Sequence, residues 1–157
     1  MKRKTITIDI YESDTSEELE KEDSTLLSHA LEATSGAYTP YSHFQVGAAV
    51  RLSNGAIVTG SNQENAAYPS GLCAERTALF YAQSQYPHLS IEAIAIAAKS
   101  NGEQTTEPVY PCGACRQVML EAQKRAAYPI RIIMGGAQKI QMVGCVGDLL
   151  PLTFEKF

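Results

Sequence analysis

The chain has 157 residues, enough for one compact domain that buries roughly two thirds of its unfolded surface. Hydrophobic residues make up 45% and charged residues 19%, the balance of a globular domain, which excludes a disordered or fibrous chain. The net charge of -4 is concentrated between Glu12 and Asp23, seven acids against Lys21, and no basic stretch elsewhere is long enough to track a phosphate backbone, so no nucleic-acid partner is expected.

Residues 1–23 read as an acidic N-terminal extension, partly disordered, with TITIDI alternating at period two as an edge strand does. Three basic residues open it, but no apolar run of a secretory signal follows, and no window approaches the ~18 apolar residues of a membrane span. A cytoplasmic location and no membrane partner are therefore expected, and four cysteines there are metal ligands, nucleophiles or buried apolar residues sooner than disulfides.

The main domain runs from 24 to 157. Asp23 or Ser24 caps a first helix, in which Leu26, Leu27, Ala30, Leu31 and Ala33 fall at helical spacing up to Gly36. QVGAAVRL and AIVTGS flank Ser53-Asn54-Gly55, a strong hairpin signal. A helix follows near Cys73, a buried strand at Ile91–Ala98, a helix near Cys112, a strand at Ile130–Met134, then KIQMV as a strand and GDLLP as a terminal turn. Strands alternating with helices after a hairpin predict an α/β fold whose mixed sheet, of about five strands, carries helices on both faces.

The chemical signal is Cys73-Ala-Glu75 with Pro111-Cys112-Gly-Ala-Cys115. Two thiolates three residues apart can reach one tetrahedral ion, a third from elsewhere completes a set of three, and one position stays open as a catalytic zinc requires. Each group precedes a helix-forming run, whose N-terminal partial positive charge favours the thiolates. Arg76 is a candidate to offset their charge, and Gln117 to donate a hydrogen bond to a sulfur. A structural zinc closed by Cys145, His29, His43 or His88 is the alternative from these residues, and a redox pair at Cys112 and Cys115 a weaker one.

At these residues, and at YSHFQVGAAV, SNQENAAYPSGLCAERTA and LLPLTF, the chain from about 24 to 154 closely resembles the small homotetrameric cytidine deaminases. The resemblance implies a three-layer α/β/α sandwich, one Zn2+ per chain on Cys73, Cys112 and Cys115, and hydrolysis of cytidine and deoxycytidine to uridine and deoxyuridine with release of ammonia. In such enzymes zinc activates water for attack at C4 and a glutamate, here Glu75, shuttles the proton. By the same resemblance Asn62 and Glu64 bind the ribose hydroxyl, Phe44 packs beside the sugar, the backbone at Ala74 holds the base edge, and Phe154 reaches a neighbouring site. The acidic extension lies outside the family pattern, and Tyr110 stands where a small serine is common. An aminopyrimidine nucleoside antibiotic as substrate, a polynucleotide deaminase and a zinc-stabilised binding module are the competing functions.

Overall fold

A computed structural model describes residues 1–155. In chain order the elements are β1 (Ile10–Ser13), α1 (Lys21–Ala33), β2 (Phe44–Leu52), β3 (Ile57–Ser61), α2 (Ala74–Gln85), β4 (Ile91–Ser100), β5 (Glu103–Gln104), α3 (Gly113–Ala126), β6 (Arg131–Gly135) and β7 (Ile140–Val143). The sheet runs β1-β7-β6-β4-β2-β3, with β5 paired to β4 off this path. Only β4 and β6 are parallel, joined through α3; the other neighbours are antiparallel.

The expected five strands correspond to β2, β3, β4, β6 and β7, and the sheet has 7. One of the two additions is β5, which folds back on β4 through Asn101 and Gly102, both with positive φ. That is the conformation an Asn-Gly hairpin turn demands. The other is β1, formed by IYES rather than by TITIDI and paired with β7, Ile10 opposite Val143 and Ser13 opposite Ile140.

Helices cover both faces, which gives the three layers. Along β4 the side chains alternate: Ala93, Ala95 and Ala97 lie with Leu26, Leu27 and Ala30 of α1, while Ile94 and Ile96 lie with Leu79 of α2 and Met119 of α3. Each fully buried leucine or isoleucine contributes about 1.5–3 kcal/mol of burial free energy. The small alanines let α1 sit close, and Gly47 is required there, since a Cβ at that position would lie 2.0 Å from the Ala30 carbonyl oxygen. On the opposite face a Cβ at Gly60 would lie 2.5 Å from the Ala78 nitrogen, so β3 and α2 also meet backbone to backbone.

The first helix starts at Lys21, ahead of the expected cap, and Asp23 is not a solvated acid. It is 3% exposed, and its Oδ1 accepts from Arg51 of β2 and Arg131 of β6, each at 3.0 Å. Sequence alone shows an acid in an acidic run; the fold brings two guanidinium groups to it, and the pairing offsets its desolvation.

Candidate active site

Cys73 and Cys112 occupy the residues just before α2 and α3, and Cys115 lies in the first turn of α3. Both helices pack on one face of the sheet, so their N-termini converge. The Cys73 and Cys112 sulfurs are 3.9 Å apart, those of Cys112 and Cys115 3.5 Å, and all three lie within 4.8 Å of one another. Three sulfurs at this separation, at two helix N-termini, fit a zinc ion by geometry and by donor chemistry. Among the described residues, neither Cys145 nor a histidine joins this group.

Arg76, one turn into α2, donates from Nη2 to the Cys73 sulfur at 3.6 Å. The Cys73 thiol is pushed down to about 5, by the Cys115 thiol donating to its sulfur and then by Arg76 beside it. Cys115 is pushed up, because it is the donor in that contact and because it is buried. Arg76 thus stands against negative charge on the Cys73 sulfur.

Glu75 follows as the second residue of α2 and is 5% exposed. Burial, with the Cys73 charge adding to it, holds its carboxyl above the usual carboxylate range. A buried carboxyl that holds its proton more tightly than a free one, beside a cluster able to hold a metal, is equipped for general acid and base work. Ala74 at the helix start is fully buried, and the backbone N–H groups of a first helical turn have no partner within the helix.

A cleft of about 550 Å³ opens in front of Cys73 and Arg76. Its other walls are the 41–42 and 62–65 segments, with Tyr68, Gly71 and Leu72. Asn62 and Glu64 both line it; Glu64 is engaged with the opposite wall and Asn62 with the strand behind it. The Asn62 amide spans the start of β2, its Oδ1 accepting from Val46 N at 2.8 Å and its Nδ2 donating to the Phe44 carbonyl at 2.9 Å. That leaves one amide hydrogen for a ligand. Glu64 accepts from the Ser42 hydroxyl and from the Tyr41 and Ser42 amides, which hold its carboxyl below the usual range, the Ser42 hydroxyl most of all. Ser42 was not singled out from the sequence, although it lies in the quoted YSHF stretch; its contact spans 22 residues and depends on the fold.

Other expected residues sit at the margin. Phe44 begins β2, half-buried, and does not line the cleft. Phe154 is 65% exposed, and its carbonyl accepts from Gln117 Nε2 at 3.0 Å. Gln117 thus meets the C-terminal segment rather than a sulfur, because two residues beyond Cys115 is about 200° round the helix. Arg116 was also missed: it donates to the carbonyls of Pro111 and Leu149, tying the Cys112 segment to the chain end. Tyr110 donates to Gln141 of β7, which donates to Glu12 of β1, so the extension is linked to the residue before Pro111.

Residues 20–129 match the model of the cytidine and deoxycytidylate deaminase zinc-binding region. The chain belongs to this family. It is 43% identical over 129 residues to a protein of Halalkalibacterium halodurans named cytidine deaminase, covering 82% of this chain and 91% of the relative. It is 42% identical to the cytidine deaminase of Mycobacterium tuberculosis, covering 82% of this chain and 86% of that one. The crystal structure of cytidine deaminase from Burkholderia pseudomallei superposes with a TM-score of 0.71 at 38% identity, over 83% of this chain and 97% of the other. Membership makes the chain a zinc-binding deaminase, a hydrolase, and no helix among the described residues is long and apolar enough to cross a membrane.

Proposed function

We propose that the chain hydrolyses the 4-amino group of free cytidine and deoxycytidine, giving uridine or deoxyuridine and ammonia. The observation that carries this reading is the convergence, among the described residues, of three thiols with no fourth ligand, two residues from a buried glutamate, with Cys73 of that group lining a cleft that also holds Glu64. A metal held by three protein groups keeps a position for water, and a carboxylate in the cleft accepts from a sugar hydroxyl.

One zinc per chain, held by Cys73, Cys112 and Cys115, supplies Lewis acidity that lowers the pKa of water. Arg76 balances the thiolate charge. Glu75 takes one proton of the attacking water as its oxygen bonds to C4 and delivers it to N3; it then takes the remaining proton from the C4 hydroxyl and passes it to the amino nitrogen, so that the C4 carbonyl forms as the C4–N bond breaks and ammonia leaves. Asn62 and Glu64 hold the ribose, Phe44 backs this end of the cleft through its carbonyl, which accepts from Asn62, and the backbone at Ala74 holds the base edge. A hydroxyl-recognising pair rejects ligands that lack the sugar, because the carboxylate would be left without its partner. The working unit is a homotetramer in which Phe154 contributes to a neighbouring site. The enzyme serves pyrimidine salvage in the cytoplasm, with residues 24–157 as the deaminase domain and residues before 24 as an extension.

The test is ammonia release by the zinc-loaded protein from cytidine, deoxycytidine, cytosine, CMP and blasticidin S. Both nucleosides are expected to react, and Glu75→Gln is expected to lose about 10²–10⁴-fold in kcat while atomic absorption shows unchanged zinc. Release from the antibiotic alone moves the substrate assignment, and full zinc occupancy without release from any compound refutes it. A Glu75→Gln variant as fast as the parent removes the shuttle.

A further inference from the structure

The strand at the end of the sheet, β1, pairs only with β7 among the described residues, so its outer edge is open. Residues 1–9 lead into it with no strand partner of their own. Both segments lie outside the residues matched to the deaminase family. Natural sheets usually blunt such an edge. Here the edge carries Ile6, Ile8 and Ile10, which are 50%, 42% and 50% exposed.

The pattern around these isoleucines is self-complementary. If two copies of KRKTITIDIYESD run antiparallel with Ile8 opposite Ile8, Ile6 faces Ile10, Lys4 faces Glu12 and Lys2 faces Asp14. These partners are all even-numbered, so the three apolar and four charged pairs of contacts fall on one face of the ribbon, and the odd-numbered pairs, Arg3 with Ser13, Thr5 with Tyr11 and Thr7 with Asp9, fall on the other. That face is already oriented by β1, since Ile10 and Glu12 sit opposite Val143 and Gln141. Moving the dyad to Thr7 sets Lys4 against Ile10, and moving it to Asp9 sets Ile6 against Glu12. A parallel arrangement stacks lysine on lysine and acid on acid, which is unfavourable. The charges thus select one register of one orientation, as negative design requires.

We infer that residues 2–14 pair with the same residues of a second copy of this chain, antiparallel about a dyad at Ile8, so that the sheet continues from one protomer into the other. The contact is isologous, adds strand to strand, and uses a surface remote in sequence from Phe154 and from the catalytic cleft. Its occupant is the chain itself because the apolar row and both charge blocks are matched by nothing more than their own reversal.

The experiment uses the full-length, zinc-loaded protein with single cysteines introduced along the strand, oxidised mildly and read as covalent dimer on a denaturing gel without reductant. The parent chain treated alike gives the baseline of its own cysteines. Ile8→Cys is expected to link most of the chain to itself. Ile6→Cys alone is expected to stay at baseline, while a mixture of Ile6→Cys with Ile10→Cys gives dimer. Adding Lys4→Glu to Ile8→Cys is expected to lower the yield several-fold, and adding Glu12→Lys as well to restore it. Ile8→Cys at baseline, or equal yields from cysteine at 6, 8 and 10 taken singly, overturns the pairing. A yield indifferent to the charge reversals overturns the register.

Discussion

At the scale of single residues, Ser42 and Glu64 decide how the sugar end of the cleft responds to pH. The Ser42 hydroxyl and two backbone amides hold the Glu64 carboxyl below the ordinary range, so it stays ionised at pH values where a free glutamate is half protonated. A depressed carboxyl contributes to binding above its own pKa and is lost as pH falls through that value. The acidic rise in KM for cytidine is therefore expected below the usual carboxylate range. In Ser42→Ala that rise moves to higher pH, with kcat at neutral pH changing less than KM. Measuring KM from pH 4 to 8 for both proteins checks this, and coincident profiles would remove Glu64 from sugar binding. The three clustered cysteines and Glu75 were legible at this scale because a Cys-x-x-Cys bite and a Cys-Ala-Glu tripeptide are local patterns. Ser42 was not, because a serine has no signature until its partner 22 residues away is brought to it.

At the scale of elements, the position of α1 rests on one close approach and one ion cluster. Gly47→Ala forces the added methyl against the Ala30 carbonyl and the Thr34 nitrogen, both backbone atoms that cannot turn aside. Overpacking of this kind costs about 1–3 kcal/mol, read as a fall in the denaturant midpoint with little change in slope. Asp23→Ala leaves Arg51, whose side chain is 7% exposed, without its buried partner. Its expected cost is about 3–5 kcal/mol, the penalty of an uncompensated buried charge, again measured by equilibrium unfolding. Loss of less than about 1 kcal/mol would mean that Glu22 and Glu92, at 3.6 and 3.5 Å from Arg51, take over the charge. The helices and five of the strands were legible from periodicity; β5 was not, because its two residues are too short to show a period, and Asp23 was not, because its partners come from two other strands.

At the scale of the whole molecule, Phe154 is 65% exposed in a single chain and belongs to the proposed tetramer. If a neighbour's Phe154 completes each cleft, specific activity falls in step with dissociation. Dilution series of activity and light scattering should then share one midpoint, and Phe154→Ala should raise KM while leaving zinc content unchanged. Activity that persists in the dissociated chain would show that each cleft is complete in one protomer.

Read by itself, the sequence determined which residues stand at the helix starts, three cysteines and a glutamate, on an alternation of strands and helices that admits few folds. Those features are set by spacing along the chain, and spacing survives without coordinates. Tertiary structure alone decided which polar groups meet. Asp23 joined the core when Arg51 and Arg131 arrived from separate strands, Gln117 turned to the C-terminal segment because the helix carries it away from the sulfurs, and Ile10–Ser13 became a seventh strand because β7 offered an open edge. Such contacts join residues far apart in the chain, and their energies depend on burial that only the folded sheet creates.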